Sequence, residues 1–218
     1  MDVFDALAEC GVVPVIAIDD AAQALPLADA LIEGGLPVAE ITFRTPAAKA
    51  AIAAIAKARP AVIVGAGTVL TEAQVEDAAE AGARFGLAPG FDPDTLSAAA
   101  RAGLPFAPGV MTPSDLQGAL KLGCGFVKFF PATAAGGPKM LRSIAGPYAH
   151  TGVGFNPTGG ITLDTMEAWL SLPEVRAVGG TWIATQSDIA AKNWSKITEN
   201  ARAARSRVRE IRAGHERT

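Results

Sequence analysis

A chain of 218 residues with a formal net charge of -3 and a pI near 5.4 lacks the basic footprint of a nucleic-acid binder. Half of the residues are hydrophobic but only 6% are aromatic, so a large core is available and must be built from Ala, Val, Ile and Leu, while 23 Gly and 15 Pro imply many turns. The two cysteines, Cys10 and Cys124, are too far apart for a CxxC pair and too few for a disulfide framework, and no apolar run reaches the roughly 18 residues of a membrane helix.

In chain order, residues 2–9 read as a helix. The same stretch has no basic segment ahead of an apolar one, so no signal peptide is expected and the expected setting is cytoplasmic. Apolar, β-branched strands follow at 12–18, 38–43, 61–65, 84–88, 104–107, 125–129, 153–156 and 176–179, each succeeded by an Ala-rich helical pattern, and a helix over 190–211 ends the series. Short, nearly continuous apolar strands alternating with helices predict a parallel sheet covered on its faces. Eight such units predict one (β/α)8 TIM barrel with an extra N-terminal helix, a single domain over residues 1–218, near the short end of the roughly 200 to 400 residues such barrels use. The competing fold, a doubly wound open sheet, has no GxGxxG after its first strand. Thr45-Pro46, Asp92-Pro93 and Thr112-Pro113 read as cap residues ahead of a Pro at the first helical position, Thr71 with Gln74 as a capping box, and Gly34-Gly35, Gly82, Gly103 and Gly123 as helix ends.

Reactive groups of a barrel sit at the carboxyl ends of its strands. Lys128 interrupts the apolar run Gly125-Phe126-Val127-Lys128-Phe129-Phe130, among three Phe residues. Desolvation favours the neutral amine, the form that attacks a ketone. A Lys reaching for the strand end, or one held by a structural partner, would read the same way. Strand alternation puts Glu40, Thr42 and Arg44 on one face, where Glu40 suits proton transfer and Arg44 suits a bound carboxylate; a buried ionic cluster of Glu40, Arg44 and Lys128 without chemistry is the other reading. Pro157-Thr158-Gly159-Gly160 and Gly179-Gly180-Thr181-Trp182 follow the last two predicted strands, where barrels often bind phosphate on backbone N–H groups and helix N-termini; two tight turns are the alternative. His150 and His215 are the only histidines, so no metal cofactor is expected. Trp169 and Trp194 fit helix faces, and the arginine run from Arg202 to Arg217 reads as a solvated helix face.

Glu40-Ile-Thr-Phe-Arg44-Thr45, Gly65-Ala-Gly-Thr68, Pro89-Gly90, Lys128-Phe-Phe-Pro131-Ala132, Pro157-Thr-Gly-Gly160-Ile161 and Gly179-Gly-Thr-Trp182 occur in one order and spacing. In this the chain, from about Val12 to Trp182, resembles the 2-keto-3-deoxy-6-phosphogluconate and 4-hydroxy-2-oxoglutarate aldolases. The resemblance implies a homotrimeric class I aldolase of the Entner–Doudoroff pathway that acts on a phosphorylated keto acid without a cofactor. It implies Lys128 as the Schiff-base residue and Glu40 as proton shuttle. Arg44 and Thr68 would hold the pyruvate moiety, Pro89, Phe130 and Thr158 would line the substrate, and Gly159, Gly160, Gly180 and Thr181 would take the phosphate. Thr181 stands where closely similar members carry Ser, and Thr133 where some carry Glu. Two other classes are weighed: a phosphosugar isomerase or epimerase, which needs no Lys inside a strand, and a non-catalytic barrel that binds a phosphorylated metabolite.

Overall fold

The computed structural model describes residues 2–215. Helix α1 (Val3–Cys10) opens the chain, followed by β1 (Val12–Ile16), α2 (Ala24–Glu33), β2 (Val38–Thr42), α3 (Ala48–Ala58), β3 (Ile63–Gly67), α4 (Glu72–Glu80), β4 (Gly86–Leu87) and α5 (Pro93–Arg101). The second half runs β5 (Phe106–Ala107), β6 (Gly109–Val110), α6 (Pro113–Lys121), β7 (Phe126–Phe129), α7 (Gly137–Ala145), β8 (Gly154–Pro157), α8 (Met166–Leu170), β9 (Val178–Gly180), α9 (Gln186–Ala190) and α10 (Trp194–His215).

All strand pairs are parallel. Six strands lie in the order β5-β4-β3-β2-β1-β9, and β6-β7-β8 form a second sheet. Two seams connect them. Thr158, just past β8, bridges Gly179 of β9 in parallel. On the other side β5 runs through Pro108 into β6, and the Lys128 N–H donates to the Pro108 carbonyl at 2.9 Å. The result is an α/β fold with a curled parallel sheet.

The expected eight strands become nine because Pro108 splits the fifth. Its ring nitrogen has no N–H to give the ladder, so residues 106–110 pair as two short pieces. The third and eighth strands lie two residues beyond their predicted starts, at Ile63 and Val178, and the fourth shrinks to Gly86–Leu87. The predicted last helix begins at Trp194 rather than residue 190, because Lys192 takes a left-handed φ of 55° and separates α9 from α10. Arg217, the end of the arginine run, lies outside the described residues.

The core follows from residue spacing. Leu27 and Leu31 on α2, and Ile52 and Ile55 on α3, repeat every three or four residues, fall on one helix face and are fully buried. Each such side chain contributes roughly 1.5–3 kcal/mol by leaving water. At the amino end of β7, the Phe126 ring stacks on Phe4 of α1, with centroids 4.7 Å apart. The N-terminal helix therefore covers the amino ends of the strands and leaves their carboxyl ends for chemistry. Cys10 and Cys124 are free and buried, and burial pushes both thiols up from their ordinary pKa. No helix among the described residues is long and apolar enough to cross a membrane.

Caps form where Ser/Thr/Asp geometry permits. Asp92 accepts from the N–H groups of Asp94 and Thr95, and Thr112 with Asp115 makes a full capping box. Thr71 accepts from the Gln74 N–H, but the Gln74 amide reaches back to Leu70 rather than to Thr71, so that box is displaced by one residue. Thr45 is no cap: α3 starts only at Ala48, and the Thr45 hydroxyl donates to the Ile18 carbonyl. The predicted helix ends are found with left-handed Gly35, Gly82, Gly103 and Gly123, Gly34 itself remaining helical.

Asp188 ties α9 to α10. Hydrogen bonds from Thr185, Asn193 and Lys196 lower its carboxyl to a pKa of about 2. The folded value lies below the unfolded value of about 3.9, so its contribution is present above pH 4 and is lost as pH falls toward 2. Asp188→Asn should lower stability at neutral pH and flatten the pH dependence between about 4 and 2, read as urea midpoints across that range.

Candidate active site

β7 carries Lys128 inward, and β2 carries Glu40 to meet it. Every residue of both strands is buried, as expected for a sheet covered on both faces. Lys128 Nζ lies 3.0 Å from Glu40 Oε1; Lys128 is 4% exposed and Glu40 is fully buried. The two residues, 88 apart in sequence, form a desolvated amine–carboxylate pair. Glu40 Oε2 has no hydrogen-bond partner among the described residues. A pair that keeps one oxygen free can exchange protons with a third group.

Two glycines make room for this chemistry. A Cβ on Gly67 would lie 2.2 Å from Glu40 Oε1, so any side chain there displaces the carboxylate. A Cβ on Gly109, the register partner of Lys128, would lie 2.1 Å from the Pro89 carbonyl oxygen. The Pro89 carbonyl thus sits over the strand beside Lys128. Gly67→Ala should push Glu40 away from Lys128 and lower kcat by at least about tenfold, a partial loss of the roughly 10²-fold or more that a proton-transfer group contributes. Unchanged turnover in a folded Gly67→Ala protein would show that the position of Glu40 is immaterial.

Of the three Phe residues flanking Lys128 in sequence, only Phe130 reaches the amine, its ring centroid 5.8 Å from Nζ. Alternation sends Phe129 to the opposite face, against Trp169, and Phe126 lies two residues toward the amino end, on Phe4. Thr42 stays in register with Glu40 and is buried, its hydroxyl bonded to the Ile16 carbonyl. Arg44 does not. β2 ends at Thr42, the chain turns at Phe43–Arg44, and the Arg44 side chain is exposed with no hydrogen bond or ion pair among the described residues. The buried cluster of Glu40, Arg44 and Lys128 therefore reduces to a pair, with Arg44 at the surface beyond it. Thr68, directly after β3, holds φ at +55°, a strained backbone of the kind concentrated at functional sites.

The loops after β7 and β8 are fastened to one another, and the loop after β9 is fastened to α10. Ala132 and Thr133 N–H groups donate to the carbonyls of Thr158 and Gly159, and Asn200 of α10 donates to the carbonyls of Trp182 and Ile183. Thr158 is buried, its hydroxyl within 2.1 Å of where a Gly179 Cβ would stand. Gly159 and Gly160 take φ of 110° and 75°. Gly160 and Thr181 are exposed, and their backbone N–H groups have no partner among the described residues. The helices expected to lend their N-termini begin only at Met166 and Gln186 and span five residues each. Free N–H groups of the loops, rather than helix ends, are what this region offers an anion.

Sequence reasoning did not single out Asn156. It pairs in register with Lys128 on the neighbouring strand, is fully buried, and has neither side-chain atom hydrogen-bonded among the described residues. The signal was a polar residue two positions before Thr158 in an otherwise apolar strand. Among the described residues no three His, Cys, Asp or Glu side chains gather as a metal site would require.

The chain matches the family model of KDPG and KHG aldolases over residues 3–200. It is 43% identical over 195 residues to a 2-dehydro-3-deoxy-phosphogluconate aldolase of Haemophilus influenzae, covering 89% of this chain and 91% of that one. A KDPG aldolase of Legionella pneumophila, solved with pyruvate captured at low pH as a covalent carbinolamine intermediate, superposes with a TM-score of 0.88 at 43% identity, covering 92% of this chain and 97% of that one. The 2-keto-3-deoxy-6-phosphogluconate aldolase of Zymomonas mobilis with 3-phosphoglycerate gives a TM-score of 0.83 at 40% identity, with coverage of 92% and 94%. With its buried amine–carboxylate pair at the centre of this fold, the chain belongs to the KDPG and KHG aldolase family.

Proposed function

We propose that this protein is a class I aldolase cleaving 2-keto-3-deoxy-6-phosphogluconate to pyruvate and glyceraldehyde 3-phosphate, with 4-hydroxy-2-oxoglutarate as a second substrate. The observation that carries the reading is the Lys128 amine held 3.0 Å from Glu40 inside the fold of this family. An isomerase or a passive metabolite-binding protein does not require that pair. The reading includes a single-domain (β/α)8 barrel; the Thr158–Gly179 bridge and the Lys128–Pro108 hydrogen bond, which join the two sheets, support closure. It also includes a cytoplasmic homotrimer, which sedimentation should report as three times 22.2 kDa.

The chemistry follows from the residue types. The Lys128 amine gives its proton to Glu40 and adds to the C2 ketone. Glu40 returns that proton to the C2 oxygen, takes a second from the nitrogen and gives it to the resulting hydroxyl; water leaves, and the nitrogen lone pair forms the C=N bond of a protonated imine. Glu40 then takes the C4 hydroxyl proton, the C3–C4 bond breaks, and its electrons pass into the imine as an enamine. Glyceraldehyde 3-phosphate departs, C3 is protonated, and water hydrolyses the imine to pyruvate. One carboxyl alternates as acid and base throughout.

Around this pair the remaining roles distribute by position. Arg44, exposed and unpaired, offers its fork to the substrate carboxylate, and Thr68 adds a hydroxyl beside it. Phe130 packs over the amine, the Pro89 carbonyl orients water, and Thr158 faces the substrate hydroxyls. Gly159, Gly160, Gly180 and Thr181 take the phosphate on backbone N–H groups and the Thr181 hydroxyl. A lactate-dehydrogenase-coupled assay of pyruvate release tests the activity. Gly160→Leu provides the sharper contrast, since a side chain there meets Thr133 at 2.9 Å and crowds the loop. KM for the phosphorylated substrate should rise by at least about tenfold, as uniform binding is lost, while cleavage of 4-hydroxy-2-oxoglutarate changes little. Equal losses on both substrates would displace the phosphate site from these loops.

A further inference from the structure

Asn156 takes no part in the steps above, yet it sits beside the nucleophile. β8 runs parallel to β7 with Asn156 opposite Lys128, and register partners of neighbouring strands project from the same face. Lys128 projects toward Glu40, so Asn156 projects into the same interior. The carboxamide is fully buried. Among the described residues, three buried side-chain atoms have no hydrogen-bond partner: Asn156 Nδ2, Asn156 Oδ1 and Glu40 Oε2.

Leaving such groups unpaired is unfavourable, and native interiors answer that cost with ordered water or a bound ligand. A Leu of similar size would avoid the cost if packing were the only demand at this position. The reaction itself supplies a partner. Imine formation expels a water from C2, and imine hydrolysis returns one to the same carbon, which is at that moment bonded to Lys128 Nζ.

We propose that Asn156 is a positioning residue of the Schiff-base step, its carboxamide and Oε2 of Glu40 together holding the water that C2 loses and regains. The inference rests on the aldolase reading of Lys128. In the forward direction the protonated Glu40 gives its proton to the carbinolamine hydroxyl, the C2–O bond breaks, and the nitrogen lone pair forms the C=N bond. The departing water accepts from Asn156 Nδ2–H and donates to Oδ1 and to Glu40. In reverse a solvent water that has exchanged into the same position adds to C2 as Glu40 takes its proton. Asn156 exchanges no proton itself; it offers a donor and an acceptor at once, which a carboxylate or an alkyl group cannot do.

The test follows two labels in pyruvate with the intact enzyme. Loss of 18O from the C2 carbonyl reports formation and hydrolysis of the imine, after subtraction of spontaneous exchange. Deuterium uptake at the methyl carbon reports enamine formation within one imine lifetime. Asn156→Leu should slow 18O loss by tenfold or more and raise the number of deuterium atoms per exchanged molecule, because the imine waits longer for water. Asn156→Ser, which keeps a hydroxyl donor and acceptor, should hold the wild-type ratio of the two labels. Should the Leu variant fail to fold, Asn156→Ala against Asn156→Ser makes the same comparison. A purely structural role lowers both labels in proportion, and that result, or wild-type 18O loss in the Leu variant, overturns the assignment. So does a Ser variant with the apolar variant's ratio. Borohydride trapping separates the two claims. If the wild-type enzyme forms no pyruvate adduct at Lys128, the aldolase reading falls and this inference falls with it. An adduct with unchanged label ratios in Asn156→Leu overturns the role of Asn156 alone.

Discussion

Lys128→Ala should remove aldol cleavage by a factor on the order of 10⁵ or more, the scale on which loss of a covalent nucleophile acts. Among the described residues no other amine is paired with Glu40. The change also strips Glu40 of its partner at a fully buried position, and breaking a buried pair costs about 3–5 kcal/mol. Circular dichroism and a denaturation midpoint must therefore accompany the kinetics. A folded Lys128→Ala protein that still cleaves the substrate at a hundredth of the wild-type rate would rule out the Schiff base at this residue.

Glu40→Gln should lower kcat by about 10² or more, the usual weight of general acid–base catalysis, with a smaller change in KM. Gln has the size of Glu, so the space under Gly67 remains filled, and its carbonyl can still accept from Lys128 at 3.0 Å. What it lacks is the capacity to take and return a proton at C2, at the C4 hydroxyl and in activating the amine. The defect should therefore fall on kcat for both the phosphorylated and the unphosphorylated substrate. A Glu40→Gln enzyme with near-normal turnover would reduce Glu40 to a structural counter-charge. The pair should also separate from Gly160→Leu, whose loss falls on KM and only where a phosphate is present.

Lys128 and Glu40 were legible because a charge inside an apolar strand is costly, and that cost is visible one residue at a time. Their partnership was legible only in part. Alternation along β2 correctly keeps Glu40 and Thr42 together, but carried one step further it misplaces Arg44, since the strand ends and the chain turns at Phe43. The Phe residues around Lys128 divide in the same way that strand geometry dictates: Phe129 lies on the opposite face, Phe126 lies at the amino end of the strand, and only Phe130 reaches the amine. Pro108 is plainly a strand breaker, yet whether it ends a strand or splits one depends on the partners waiting on either side. Gly67 and Gly109 carry meaning only once the Glu40 carboxylate and the Pro89 carbonyl are known to occupy the space above them. Asn156 could have been suspected as a polar residue in an apolar strand; its unpaired carboxamide required the fold. The helix ends expected behind the glycine loops were inferred from barrels in general, and here both helices start several residues later.

In the proposed mechanism one particular amine, that of Lys128, forms the covalent bond. Incubation with pyruvate and borohydride, followed by intact-mass analysis and peptide mapping, tests it directly. One reduced pyruvate unit per chain is expected, located on Lys128 within the Gly125–Pro131 segment and absent from Lys128→Ala. A stable adduct on any other lysine, or none in an enzyme that still cleaves its substrate, would contradict it.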